Sequence, residues 1–147
     1  MPTVHLVVGC LLIAVNLAAG IWGAWRWYHV EASHAFWRML RVGQALIVIE
    51  AVLGGVLVLA GHHAKGSLHI LYGVLPLAVS FVAEQLRIAS ADAVLSARDL
   101  DNARQVGTLP PEEQRVIVLS IVRRELGVMA LSCFVVVGLA IRAATTA

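Results

Sequence analysis

Charge is what this sequence has least of. Only 14% of its 147 residues are Asp, Glu, Lys or Arg, while 60% are hydrophobic. A soluble domain is about half apolar and about a quarter charged, so an ordinary water-soluble fold is excluded. Cysteine is nearly absent. Cys10 and Cys133 fall in separate apolar runs without CxxC or zinc-ligand spacing, which excludes a disulfide framework or zinc finger. Two buried free thiols are expected, although depths of about 9 and 12 Å, at 1.5 Å per residue, would not forbid a bridge. No basic stripe or recognition motif is present, so no nucleic-acid partner is expected. A catalytic triad, a phosphate-binding loop, a metal-protease motif, internal repeats and low-complexity segments are also missing.

What is present is apolar sequence in long runs. A transmembrane helix needs about 20 mostly apolar residues, and four such spans are predicted, at about 4–25, 42–60, 68–85 and 126–141. They lack the period-two alternation of barrel strands, and only helices or closed barrels satisfy their backbone in lipid. The first span is expected to be retained, because Met1–His5 lacks a basic n-region and the run behind it is too long for a signal peptide. The fold expected is therefore all-α, a four-helix transmembrane bundle of up-down topology forming one domain.

Arginine sets the expected orientation. Loop one carries Arg26, Arg38 and Arg41. Loop three carries Arg87, Arg98, Arg104, Arg115, Arg123 and Arg124. Only Lys65 and Arg142 lie on the other side, a division of nine against two. By the positive-inside rule both loops face the cytoplasm of an inner-membrane protein, with both termini outside. Trp22, Trp25, Trp27, Tyr28, Phe36 and Trp37 read as an interfacial aromatic belt, with 33–40 as a short helix lying in that interface. Helical composition continues over 88–106, Gly107 offers a stop, and Thr108–Glu113 reads as a fresh helix start, with early proline and acids in the first turn. The third and fourth spans are thus expected to extend as a cytoplasmic helical hairpin over about 88–125. It would reach about 25 Å and either dock a partner or simply join two spans.

Ionisable residues at membrane depth are functional candidates. Glu50 and Asn16 fall near the middle of spans two and one. Glu50 reads either as a proton-relay group or, preferably, as a protonated side chain clamped to Asn16. Gln44, Glu84, Gln85, Arg87, Arg123, Arg124 and Glu125 predict a polar layer near the inner surface, with Glu84 paired to an arginine. Gly20, Gly23, Gly54, Gly55 and Gly73 would allow close helix approach.

Of six histidines, His29 and His34 read as inner-loop surface residues, and His62 and His63 as outer-loop ones. His5 opens the first span and His69 opens the third, both from the outer side. In an up-down bundle these helices are diagonally opposed. Two imidazoles at matched depth suit the axial positions of a six-coordinate haem iron. Interfacial polar ends, or a metal site with His62 or His63, remain open alternatives.

A family resemblance bears on that choice. The stretches His5-Leu-Val-Val-Gly9, Ala24-Trp-Arg26, Phe36-Trp-Arg-Met-Leu-Arg41, Leu53-Gly-Gly-Val-Leu-Val-Leu-Ala-Gly61 and Leu68-His69 resemble one four-helix half of haem A synthase, over about residues 3–87. The resemblance implies that His5 and His69 are the axial pair of a haem, of type b here. The family's glutamate before the first histidine and arginine after it are replaced by Pro2, Thr3, Val4 and Leu6, and its external cysteine pair is missing. These departures argue against hydroxylation of a haem methyl, and hence against an enzyme of that type. The whole chain also resembles four-helix membrane proteins of actinobacteria, a likeness that carries no activity. With a haem bound, its propionates would face Lys65 and Arg142, the basic side chains on that side, and Tyr72 would line the pocket.

The function expected is a small membrane haem protein resembling a b-type cytochrome, serving electron transfer or haem handling. Its partners would be the lipid bilayer and a quinone or a redox subunit of a respiratory complex, with a homo-oligomer also open to it. The runner-up is a cofactor-free accessory subunit of a larger membrane complex. A transporter built on Glu50 ranks last, because the spans carry too few polar residues to line a pore.

Overall fold

A computed structural model describes residues 2–62 and 67–146. Helix α1 spans Pro2–His29, α2 His34–Leu59, α3 Ser67–Ser96, α4 Ala103–Val106 and α5 Pro111–Thr145, and no strand forms among the described residues. Four of these helices are long and apolar enough to cross a membrane. The chain is an all-α, multi-pass membrane bundle.

Neighbour packing follows the order α1, α2, α3, α5 and back to α1, so α1 and α3 stand on a diagonal. The packing is unequal. Helix α5 packs most extensively, on α3 and α1, while the α2–α3 seam is the thinnest. Accordingly 39% of the apolar window of α5 is buried, against 11% for α2 and α3. The bundle has two ends. The terminus-bearing end holds the starts of α1 and α3 and the finishes of α2 and α5. The arginine-rich end holds the α1–α2 turn and the α3–α5 connection.

Most of the core lies away from the terminus-bearing end. Ala19, Phe36, Leu40, Ala83, Leu126, Met129 and Cys133 form one cluster. Leu12, Ile47 and Val136 form a smaller one nearer mid-bundle. Val94, Leu95, Val106 and Ile117 form a third, at the arginine-rich extremity. Both thiols are free, Cys133 in the core and Cys10 exposed on the bundle surface.

Three helices end in the same backbone motif, and in α3 it falls ahead of the expected stop at Gly107. Helix α3 stops at Ser96 rather than continuing to Val106. Asp99 adopts a left-handed φ of 55°. The Leu100 amide then donates to the Leu95 carbonyl at 3.1 Å, and the Asp99 amide to Ser96 at 3.2 Å. This pair of bonds is a Schellman ending, accompanied by the usual apolar contact of Leu100 with the cluster around Leu95. Aspartate tolerates the left-handed region without being its usual occupant, so the stop carried no glycine signal. The α3 arm past Gln85 is thus about 16 Å long, shorter than expected. Asn102 then caps α4, accepting from the Arg104 and Gln105 amides at 3.0 and 3.3 Å. Gly107 closes α4 as expected, although in right-handed conformation, and α5 begins at Pro111 with Glu112 and Glu113 in its first turn. Helices α1 and α2 finish the same way at Val30 (φ 53°) and Gly61 (φ 81°).

The expected interfacial helix over 33–40 is instead the first part of a continuous α2. Ser33 caps it, its Oγ accepting the Phe36 amide at 3.2 Å and the Trp22 indole N–H at 3.0 Å. This closes a turn of only four residues, 30–33, and directs α2 straight back into the bundle. Phe36, expected in the aromatic belt, is fully buried against Gly23. Trp25 and Tyr28 remain exposed.

Candidate functional site

Three ionisable side chains converge at the terminus-bearing end. His5 and His69 meet across the diagonal with ring centres 6.1 Å apart and planes at 76°. Glu50 joins them from α2, its Oε1 lying 3.1 Å from His5 Nδ1. The expected pairing of Glu50 with Asn16 does not occur. The antiparallel register of α1 and α2 sets Asn16 against Gly43, and Glu50 against Gly9. Gly43 and Glu50 are two turns apart, about 10 Å. Asn16 is fully buried and donates from Nδ2 to the Leu12 carbonyl at 2.9 Å, within its own helix.

Glycine makes the convergence sterically feasible. A Cβ at Gly9 would stand 2.9 Å from Glu50 Oε1, and one at Gly54 would stand 3.5 Å from His5 Cε1. Each side chain therefore sits over a glycine of the facing helix. The other expected close-approach glycines divide. Gly20 and Gly23 lie under Phe134 and Phe36, but Gly55 and Gly73 have nothing within 4 Å of a Cβ position. Gly73 is one turn from His69, so open space adjoins that histidine. Pro76, a turn further, removes the backbone hydrogen bond that the Tyr72 carbonyl would otherwise accept.

The two imidazoles differ at Nδ1. His69 Nδ1 lies 2.9 Å from the Ala143 carbonyl of α5. A carbonyl only accepts, so Nδ1 carries the proton and Nε2 keeps its lone pair. His5 Nδ1 faces the Glu50 carboxylate, but off the hydrogen-bonding direction. Nδ1 of His5 and Oε2 of Glu50 are consequently buried without a hydrogen-bond partner. With a Glu50 oxygen as acceptor, a turn of the ring would leave the proton on Nδ1 and free Nε2. Histidines that ligate metals usually donate their other ring nitrogen to a carboxylate or carbonyl in this way.

The pair has the separation that two axial ligands require. With a metal–imidazole bond of about 2 Å and each ring centre about 1 Å beyond its nitrogen, two axial imidazoles stand about 6 Å centre to centre. No group of three or more His, Cys, Asp or Glu side chains gathers for a single metal ion among the described residues, which disfavours a site of the zinc type. The donor set fits a haem iron, which takes only two protein ligands. Around it, Arg142 stands over the Tyr72 ring at 5.9 Å, next in sequence to the Ala143 carbonyl that holds His69. His62 is exposed beyond the end of α2, while Lys65 and His63 lie outside the described residues. His29 stacks on Trp25 and Tyr28 at the opposite end of the bundle.

A second polar group occupies the arginine-rich end, as expected. Glu84 accepts from Arg41 and from Gln44 (2.9 Å) on α2, and from Arg87 (3.0 Å) on its own helix. Arg87 also reaches Glu125 at 3.5 Å and lies 5.5 Å over Trp37. Glu84, Glu125, Arg41 and Arg87 are thus paired among themselves and brace α2, α3 and α5, whereas Gln85, Arg123 and Arg124, expected in the same layer, are exposed and stand apart from it. An apolar cavity of about 350 Å³ opens between α3 and α5, lined by residues such as Ala78, Val82, Leu131 and Val135. None of the histidine-site residues lines it.

No family model, curated protein or solved structure matches the chain, so the chemistry of the site stands on its geometry. The Glu50–His5 contact and the Ala143 carbonyl escaped sequence reading. A signal for the first was present. Histidine and glutamate are each followed four residues later by glycine, at 5 and 9, 50 and 54, and 69 and 73, the spacing of one helix face.

Proposed function

We propose that this chain is a small membrane haem-binding protein of b-type cytochrome character, with His5 and His69 as the axial pair. The observation that carries the reading is the meeting of two imidazoles 6.1 Å apart, one anchored through Nδ1 and the other facing the Glu50 carboxyl group. The resemblance of residues 3–87 to half of haem A synthase points the same way. When bound, the haem supplies reversible one-electron chemistry. The chain's own part is to hold Nε2 of each histidine in place, and to offer Arg142 and Lys65 to the propionates and Tyr72 to the rim. Two strong axial ligands leave no open iron position, which favours electron transfer or haem handling over oxygen chemistry. The thin α2–α3 seam, bordered by Gly55 and Gly73, is the route by which a flat ring enters. A quinone or a redox subunit is the partner in electron exchange. The arginine-rich end faces the cytoplasm and the termini face outward, a reading that the charge division supports through the positive-inside rule.

The test is a dithionite-reduced minus oxidised absorption spectrum of detergent-purified protein expressed with added haem. A sharp reduced α band, lost in His5→Ala and in His69→Ala, is the expected result. A colourless wild type sinks the reading. It would leave the accessory-subunit reading, which the separately cored cap of Val94, Leu95, Val106 and Ile117 favours as a docking platform. Orientation is tested on a variant lacking Cys10 and Cys133. A cysteine placed at Thr146 should react with impermeant maleimide on intact cells, and one placed at Asp101 should not.

A further inference from the structure

We propose that Glu50 is a positioning residue for His5, making the two axial imidazoles electronically unequal. This rests on the haem reading above. His69 gives its Nδ1 proton to a neutral backbone carbonyl, that of Ala143, at 2.9 Å. His5 faces a carboxylate instead, 3.1 Å away. The contact has a built socket. Gly9 leaves the room that Glu50 Oε1 fills, and Gly54 lies under the His5 ring. His5 Nδ1 and Glu50 Oε2 are both buried with no hydrogen-bond partner. A rotation of the ring about its bond to Cβ brings the N–H onto the carboxylate, without competition from elsewhere.

A charged acceptor on Nδ1–H draws that proton and raises the electron density of the ring. Nε2 then becomes the stronger donor, and a stronger donor favours the more positively charged, oxidised iron. A neutral carbonyl does this less. The carboxylate on the His5 side thus holds the reduction potential down and fixes the orientation of that ring, while His69 is set by α5 backbone alone.

The experiment compares midpoint potential and low-spin ferric EPR spectra of the haem-loaded wild type, Glu50→Gln, Glu50→Asp and Gly9→Ala. Glu50→Gln keeps the size and an acceptor oxygen but loses the charge. It should stay six-coordinate, with a raised midpoint potential and a shifted largest g value. Glu50→Asp keeps the charge on a shorter arm and should fall between Gln and wild type. Gly9→Ala pushes the carboxylate from its socket, because the new Cβ stands 2.9 Å from Oε1. It should move the potential in the same direction without altering any charge. Haem bound with wild-type potential and g values in Glu50→Gln overturns the inference and leaves the haem reading intact. Should Glu50→Gln fail to assemble, Gly9→Ala at the wild-type potential overturns it equally. A wild type that takes up no haem removes both together.

Discussion

The two halves of the bundle use glycine differently. Toward the arginine-rich end glycines are filled. Phe36 lies on Gly23, the Trp27 indole on Gly127 and Phe134 on Gly20. Toward the terminus-bearing end, Gly9 and Gly54 carry the polar side chains Glu50 and His5, while Gly55, Gly73 and Gly138 have nothing within 4 Å of a Cβ position. The buried apolar clusters follow the same division, and polar chemistry does so in part. Glu84 has three donors, while His5 Nδ1 and Glu50 Oε2 have no hydrogen-bond partner; at the arginine-rich end Arg26 Nε alone shares that state among the described residues. In lipid, helices gain little from hydrophobic segregation and associate through close packing and hydrogen bonds. One half thus carries the association, and the other is released from it and keeps room and free donor atoms. A bundle so divided can hold a ligand without giving up the contacts that fold it.

Substitutions that exchange the two behaviours test this division. The largest effect should come from Phe36→Ala, which empties the socket on Gly23 and should cost about 3–5 kcal/mol, read as a lowered midpoint of detergent unfolding followed by tryptophan fluorescence. Glu84→Ala removes the acceptor shared by Arg41, Gln44 and Arg87, leaving Arg41 on Gln44 and Arg87 on Glu125. It should cost about 1–3 kcal/mol in the same assay, and a value near zero would show that the arginine-rich brace contributes nothing. Gly23→Ala drives a methyl into Phe36 and Ala130 and should destabilise by about 1–2 kcal/mol. The smallest effect should be that of Gly73→Ala, which meets open space and gains helix propensity of up to about 1 kcal/mol. If Gly23→Ala and Gly73→Ala behave alike, the contrast between the halves fails. Gly73→Leu sharpens it, because the fold should persist while haem loading falls.

The four spans and the divided charge were legible because hydropathy and arginine placement are properties of composition. The polar brace was legible because carboxylate and guanidinium have few alternatives near a membrane surface. The pairing of His5 with His69 followed from topology, as helices one and three of an up-down bundle share a diagonal. What escaped reading depends on rotational phase and register. Glu50 and Asn16 were placed at one depth by counting residues, but the interlock of α1 and α2 puts them two turns apart. Phe36 looked interfacial because it follows a loop, yet the four-residue turn closed by Ser33 aims it inward. The end of α3 escaped because a left-handed aspartate leaves no compositional mark.

Helix α5 runs unbroken from Pro111 to Thr145, about 52 Å at 1.5 Å per residue. Near one end Ile117 is locked into the small cap with Val94, Leu95 and Val106. Near the other, Ala143 holds His69 by its backbone carbonyl. Between them the helix bears on its neighbours through Leu126, Met129 and Val136. It is therefore one rod clamped along its length by α1 and α3. The cap and the carbonyl that meets His69 belong to the same unbroken element, so the two ends of the molecule are kept in fixed register by a single helix.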